Sequence, residues 1–97
     1  RMVKGLAVDL SGTGVTANCI APGAISSRLP DDGESVNGAP HDPEQSPWLE
    51  TRVPAKRGGL PSDIAGAVLF LTSEMGAYVN GETTLVDGGL MAAAAEL

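Results

Sequence analysis

Apolar side chains at Met2, Val3, Leu6, Ala7 and Leu10 recur at helical spacing, with Lys4 and Asp9 off that stripe. The pattern predicts an amphipathic helix over Met2 to Leu10, entered part-way because no capping residue precedes it. Gly5 in its middle costs about 1 kcal/mol relative to Ala; a close contact with a neighbouring element would account for it, and so would chance. Ser11-Gly12-Thr13-Gly14 ends the helix with glycines able to take positive φ. Val15 to Ala21 is apolar or small at both alternating sets of positions, the pattern of a strand covered on two faces. Pro22 stops its ladder for want of an N–H, and Gly23 lets other atoms come close to the backbone. A helix, a short loop and a doubly covered strand make half of a βαβ unit, which places the chain in the α/β class.

From Ala24 to Arg52 the periodicity dissolves. Pro30, Pro40, Pro43 and Pro47, with Gly33 and Gly38, interrupt regular structure, and a connection this long reads as a lid or a linker. A short helix from Pro43 or Ser46 towards Thr51 fits Trp48 and Leu49 as its apolar positions. Trp48 either closes over a ligand or anchors the segment to the body. Order returns at Val53. Pro61-Ser62-Asp63 starts a second helix, with Pro preset for the first turn and an acid at the positive end of the dipole. Ile64, Val68 and Leu71 line one face of it, and Ala65, Leu69 and Phe70 make the rest apolar too. A helix of that kind is buried on both sides, by a sheet and by a partner. A short helical turn over Ser73 to Tyr78 and an Asn80-Gly81 turn lead to a β-branched strand at Thr83 to Val86, which Asp87-Gly88-Gly89 ends. The alanine-rich tail carries no readable chemistry.

Composition narrows the picture. Ninety-seven residues make one small domain at most, and the start at Arg1 rather than Met reads as a piece of a longer chain. Hydrophobic residues are 42% but aromatics only 3%, so the packing units are Ala, Val, Leu and Ile. Such side chains suit helices lying close on a parallel sheet and do not build a large independent core. Six Lys and Arg against twelve Asp and Glu leave a formal charge of −6, which argues against nucleic acid as a partner. Much of the acid sits between Asp31 and Glu50, as in a solvated loop. No apolar run approaches the ~20 residues needed to span a bilayer. The single Cys19 has no internal disulfide partner and suits a reducing, cytoplasmic setting; inside a strand and without a basic neighbour it reads as a buried, inert thiol. His41 stands alone in a Pro- and Asp-rich loop, which supports neither a zinc site nor a Ser-His-Asp triad.

Four motifs stand in a telling order: Asn18 with Pro22-Gly23-Ala24-Ile25-Ser26-Ser27, then Pro54-Ala55-Lys56-Arg57, then Pro61-Ser62-Asp63-Ile64-Ala65, and last Val86-Asp87-Gly88-Gly89. Together they resemble the C-terminal portion of a short-chain dehydrogenase/reductase, similar to the 3-oxoacyl-[acyl-carrier-protein] reductase-like members. The likeness runs over nearly the whole chain and is weakest from Arg28 to Arg52. It departs from the family pattern at Ser27, where Thr is usual, and at Ser62, where an acid is usual.

The resemblance implies the C-terminal part of a Rossmann-like doubly wound parallel sheet with flanking helices. Residues 1–97 would form one segment of a single NAD(P)-binding domain, with residues 28–52 as substrate lid. It implies NAD or NADP as cofactor, an alcohol or ketone as substrate, and a homo-oligomeric parent. Pro22, Gly23, Ile25 and Ser27 would then be cofactor-binding. Gly23 would admit the flat nicotinamide ring, the backbone N–H and C=O of Ile25 would pair with its carboxamide, and the Ser27 hydroxyl would bond the same group or a phosphate oxygen. Ser27 taken alone would read equally as a solvated loop serine or a cap. Asn18 and Asp87 read as structural, holding turns and neighbouring strands. The family's catalytic Ser and Tyr-x-x-x-Lys have no counterpart here, because Tyr78 is followed four positions on by Glu82, and no Gly-rich phosphate loop is present. No catalytic residue carries over. The alternative is a non-catalytic interaction or oligomerisation module built from the same fold.

Overall fold

The computed structural model describes residues 1–25 and 47–95. Their elements are α1 (Met2–Asp9), β1 (Cys19–Pro22), α2 (Pro47–Arg52), α3 (Pro61–Thr72), β2 (Thr83–Val86) and α4 (Leu90–Ala95), with a single 3-10 turn over Glu74–Gly76 between α3 and β2. Ser27, His41, residues 28–46 of the lid expected over 28–52, and the side chain of Trp48 lie outside the described residues.

β1 and β2 run parallel, with Cys19 opposite Thr83 through to Pro22 opposite Val86. Parallel strands need a crossover, and α3 serves as one, packing against both strands. The strand expected from Val15 begins four residues later. Before Cys19 side-chain amides share the bonding with the backbone, and no regular ladder forms. Ala17 N–H donates to Asn80 Oδ1 at 3.0 Å, and Gly81 N–H donates to the Ala17 carbonyl at 2.8 Å. Asn18 Nδ2 donates to the Val79 carbonyl at 2.9 Å, while its Oδ1 accepts from Glu82 N–H at 3.1 Å. Two side-chain amides and one backbone bond thus join the segments ahead of the strand ladder, which opens with Cys19 N–H to the Glu82 carbonyl at 2.8 Å.

Packing is one-sided. On α1, Ala7 is buried and Val3 and Leu10 are half-buried, whereas Met2 is 87% exposed and Leu6 48%. The expected stripe is therefore split: Val3, Ala7 and Leu10 face inward, and Met2 and Leu6 turn away. Gly81, at φ +76°, brings its turn against α1, where an added Cβ would lie 3.4 Å from that of Ala7. Gly5 has open space around it, so no close contact accounts for it. On α3, Ile64, Ala67 and Leu71 are half-buried, while Leu69 is 71% exposed and Val68 and Phe70 are exposed as well. The sheet covers one side of that helix; nothing described covers the other.

Two expectations need correcting. β1 is not enclosed on both faces: its inner residues Ile20 and Ala21 are half-buried and its ends exposed. Cys19, expected to be a buried thiol, is exposed because it stands at the open first position of that strand.

The buried apolar side chains among the described residues are Ala7, Ala17 and Val53, all small or medium in size. Three such side chains supply little burial, whereas exposed apolar patches beyond a few hundred Å² favour association. The 97-residue chain produced by itself should therefore self-associate and bind a hydrophobic dye. Light scattering that finds a monodisperse monomer with a cooperative melt and no dye binding would refute this.

Candidate functional site

Because β1 and β2 are parallel and in register, their carboxyl ends, Pro22 and Val86, lie side by side. Beyond them the chain leaves as Gly23-Ala24-Ile25 on one side and Asp87-Gly88-Gly89 on the other. Gly23 N–H donates to the Val86 carbonyl at 3.0 Å, carrying the ladder one bond past Pro22. A Cβ on Gly23 would lie 2.7 Å from both Cα and Cβ of Asp87. Gly23 thus has a structural reason to be glycine, independent of any ligand.

A third wall comes from residues 53–63. Ala55 N–H donates to the Gly88 carbonyl at 3.0 Å. Gly88, at φ +63°, and Gly89, at φ +94°, lie against Val53 and Pro54; Cβ atoms there would meet Val53 Cγ1 at 2.8 Å and Pro54 Cγ at 2.9 Å. Farther along, Gly59 N–H donates to the Ala24 carbonyl at 2.8 Å, and Ile25 and Gly59 form a parallel bridge. These walls enclose a cleft of about 170 Å³ whose lining includes Ala24, Ile25, Val53, Arg57, Asp63 and Asp87. It opens where parallel α/β sheets place their ligands, past the carboxyl ends of the strands.

The Ile25–Gly59 bridge has a polarity that matters. In a parallel bridge one residue uses its own N–H and C=O and the other is engaged through its flanking peptides. Gly59 spends its own N–H on Ala24. The N–H and C=O of Ile25 itself are consequently directed to the edge away from Gly59.

One ion pair sits in the cleft wall. Arg57 Nη1 and Nη2 donate to Asp63 Oδ2 and Oδ1 at 2.8 and 3.1 Å, a two-pronged pairing. Arg57 Nη1 also donates to the Gly58 carbonyl at 2.9 Å, and Leu60 N–H donates to Asp63 Oδ2 at 2.7 Å. The hydrogen bond from Arg57, then that from Leu60 N–H, lower the Asp63 pKa to about 2. The same hydrogen bond raises the pKa of Arg57 above its ordinary value. Sequence reasoning found the Pro-x-x-Arg segment and the Pro61 helix start separately and missed that this pair makes them one unit. The signal was an Arg six residues ahead of an acid in a first helical turn, across Gly58-Gly59.

Asp87 is occupied differently. Its Oδ1 accepts from Gly89 N–H at 2.9 Å and its Oδ2 from Met91 N–H at 3.0 Å, so its carboxylate caps the start of α4. Of the expected site residues, Pro22, Gly23 and Ile25 come together at the carboxyl edge, with Ile25 on the cleft; Ser27 lies outside the described residues. Tyr78 is fully exposed and Cys19 stands at the opposite end of β1; neither lines the cleft. Among the described residues no group of His, Cys, Asp and Glu could hold a metal, and no helix is long and apolar enough to cross a membrane.

The model of the enoyl-(acyl carrier protein) reductase family matches residues 1–91. The chain is 42% identical over 89 residues to L-rhamnose-1-dehydrogenase of Scheffersomyces stipitis, covering 92% of this chain and 32% of that protein. It is 37% identical over 90 residues to 3-oxoacyl-[acyl-carrier-protein] reductase of Rickettsia bellii, covering 93% and 34%. Among solved structures it resembles a gluconate 5-dehydrogenase from Burkholderia cenocepacia J2315 in complex with NADP and tartrate. That likeness has a TM-score of 0.71 at 37% identity and covers 94% of this chain and 33% of that one. The chain spans about a third of the length of the curated relatives it matches.

Two outcomes follow from the geometry. Gly23→Ala forces a Cβ into the backbone of Asp87 and should destabilise the fold by about 1–3 kcal/mol, read as a lowered denaturant midpoint; an unchanged midpoint would show that the strand ends can part. Asp63 has a folded pKa of about 2, below the ordinary aspartate value. Its pairing therefore stabilises the fold above pH ~4, and that stability disappears as pH falls through about 2. Because both partners are substantially exposed, its size is about 0.5–1 kcal/mol. Asp63→Asn should cost that much at neutral pH and nothing at the acid limit; a cost independent of pH would contradict the assignment.

Proposed function

The chain belongs to the short-chain dehydrogenase/reductase family, and from that premise we propose that it forms the nicotinamide-side wall of an NAD(P)-dependent oxidoreductase. The reaction is hydride transfer between an alcohol and a ketone. The observation that carries the proposal is the Ala24–Ile25 edge, fixed beside a cleft past the carboxyl ends of two parallel strands.

The residues fit that cofactor through the donor set they offer. Ile25 presents a backbone N–H and C=O away from Gly59, a donor and an acceptor matched to a carboxamide. Pro22 and Gly23 bring the chain out of the sheet at that point, and the Ser27 hydroxyl, two residues on, adds a bond to the same group or to a phosphate oxygen. When bound, the nicotinamide supplies the hydride carrier that no side chain here can provide. Residues 28–52 close over the substrate as a lid, and a second subunit covers the exposed side of α3, where Leu69 is 71% exposed. The proton for the carbonyl oxygen comes from the part of the family fold that these residues do not span. Tyr78 lacks the lysine four positions on and points to solvent. Cytoplasmic residence accords with a single cysteine and no disulfide.

The exposed face of α3 also favours a second reading, a non-catalytic module that pairs through that helix. Activity separates the two. The whole protein should oxidise NADH or NADPH with a ketone, and the 97-residue chain alone should not. In the whole protein, Ser27→Ala should raise the cofactor KM about three- to tenfold, the loss of one hydrogen bond. If the whole protein neither binds nor turns over either dinucleotide, the module reading replaces the enzyme.

A further inference from the structure

The loop that meets Ile25 would be loose without help. It contains adjacent glycines, Gly58 and Gly59, which lose the most freedom on ordering. It also holds Lys56 at φ +61°, a left-handed conformation unfavourable for a side-chain-bearing residue. Yet each residue from 57 to 60 is tied. Arg57 is held by its fork on Asp63, Gly58 through its carbonyl on Arg57, Gly59 by the Ala24 carbonyl, and Leu60 through its N–H on Asp63. Asp63 itself sits in the first turn of α3, where its own N–H donates to the Leu60 carbonyl at 2.9 Å. Removing both side chains releases three of those four ties, either one alone breaks the fork they share, and Gly59 is then left to its bridge with Ile25.

We propose that Arg57 and Asp63 are positioning residues for the cofactor: their paired side chains hold Gly59 against Ala24–Ile25 and so fix the direction in which Ile25 presents its N–H and C=O. The role rests on the nicotinamide reading of that edge. It is distinct from stabilising the fold, since an exposed pair contributes little to global stability, whereas a displaced contact group is felt directly by its ligand. The geometry also specifies arginine. Lysine would keep the charge but could not bond both carboxylate oxygens and the Gly58 carbonyl from one rigid plane.

The test uses the whole protein and two ligands that differ by the nicotinamide. One is whichever of NADH and NADPH binds; the other is ADP-ribose, or its 2′-phosphate for NADPH. Arg57→Ala and Asp63→Asn should each weaken the dinucleotide about fivefold in titration calorimetry, the limit set by what the pair contributes to holding the loop. The ligand without nicotinamide should bind as in wild type. Arg57→Lys should resemble Arg57→Ala, and the double variant should fall well short of the sum of the single effects, because both break the same fork. Amide exchange at Gly59 should quicken in every variant. If Arg57→Ala fails to fold, Arg57→Lys and Asp63→Asn carry the test. Equal weakening of both ligands, no weakening of either, additive single effects, or full rescue by lysine would each overturn the clamp. A wild-type protein that binds ADP-ribose as tightly as the dinucleotide would instead overturn the nicotinamide reading and the clamp with it.

Discussion

A parallel pair of four-residue strands has no tight turn to set its register, so something other than the ladder must do so. Here the side-chain amides of Asn18 and Asn80 reach across between the two segments just ahead of the strand ladder. A shift by one residue would strand both amides. With register set at the amino ends, Pro22 and Val86 arrive together at the carboxyl ends. Everything beyond inherits that alignment: the Gly23 bond to Val86, the approach of Asp87, the seat for Val53 and Pro54, and finally the cleft.

Local chemistry made some of this plain in the sequence. Pro61 and Asp63 mark the start of α3, and the β-branched run at Thr83 to Val86 is the strand that forms. Both are decided by the residues that compose them. The position of the carboxyl edge at Pro22-Gly23 was legible for the same reason. What a pattern cannot state is whether a partner surface exists. Met2, Leu6 and Leu69 obey helical periodicity and still face outward, and Cys19 obeys the strand pattern and is exposed. Among the described residues nothing covers them, and the chain spans about a third of the length of its relatives.

Other features were hidden because they join distant or aperiodic positions. Asn18 signalled a turn-holding residue, but its partners Val79 and Glu82 are 61 and 64 positions away. Arg57 and Asp63 are close in sequence, yet six residues across a glycine pair match neither helix nor strand spacing. Gly23 illustrates a subtler limit. Its glycine suggested room for a ring, while the atoms occupying that room belong to Asp87. A residue type can be required for a structural reason at the very place where a functional one is also expected.

The Asn80-Gly81 turn also bears on chemical lifetime. In a free chain, the glycine nitrogen after an asparagine attacks the side-chain carbonyl carbon, expelling ammonia and closing a succinimide that opens to aspartate or isoaspartate. Here that nitrogen's N–H is committed to the Ala17 carbonyl at 2.8 Å, and the Asn80 carboxamide oxygen is committed to Ala17 N–H at 3.0 Å. Nucleophile and electrophile are each held by the same residue of the neighbouring segment, in an arrangement the ring closure would have to break. Ageing at this dipeptide is thereby coupled to opening of the strand pair. Where the ring opens to isoaspartate, it adds a methylene to the backbone just ahead of Gly81, whose N–H the Ala17 carbonyl holds.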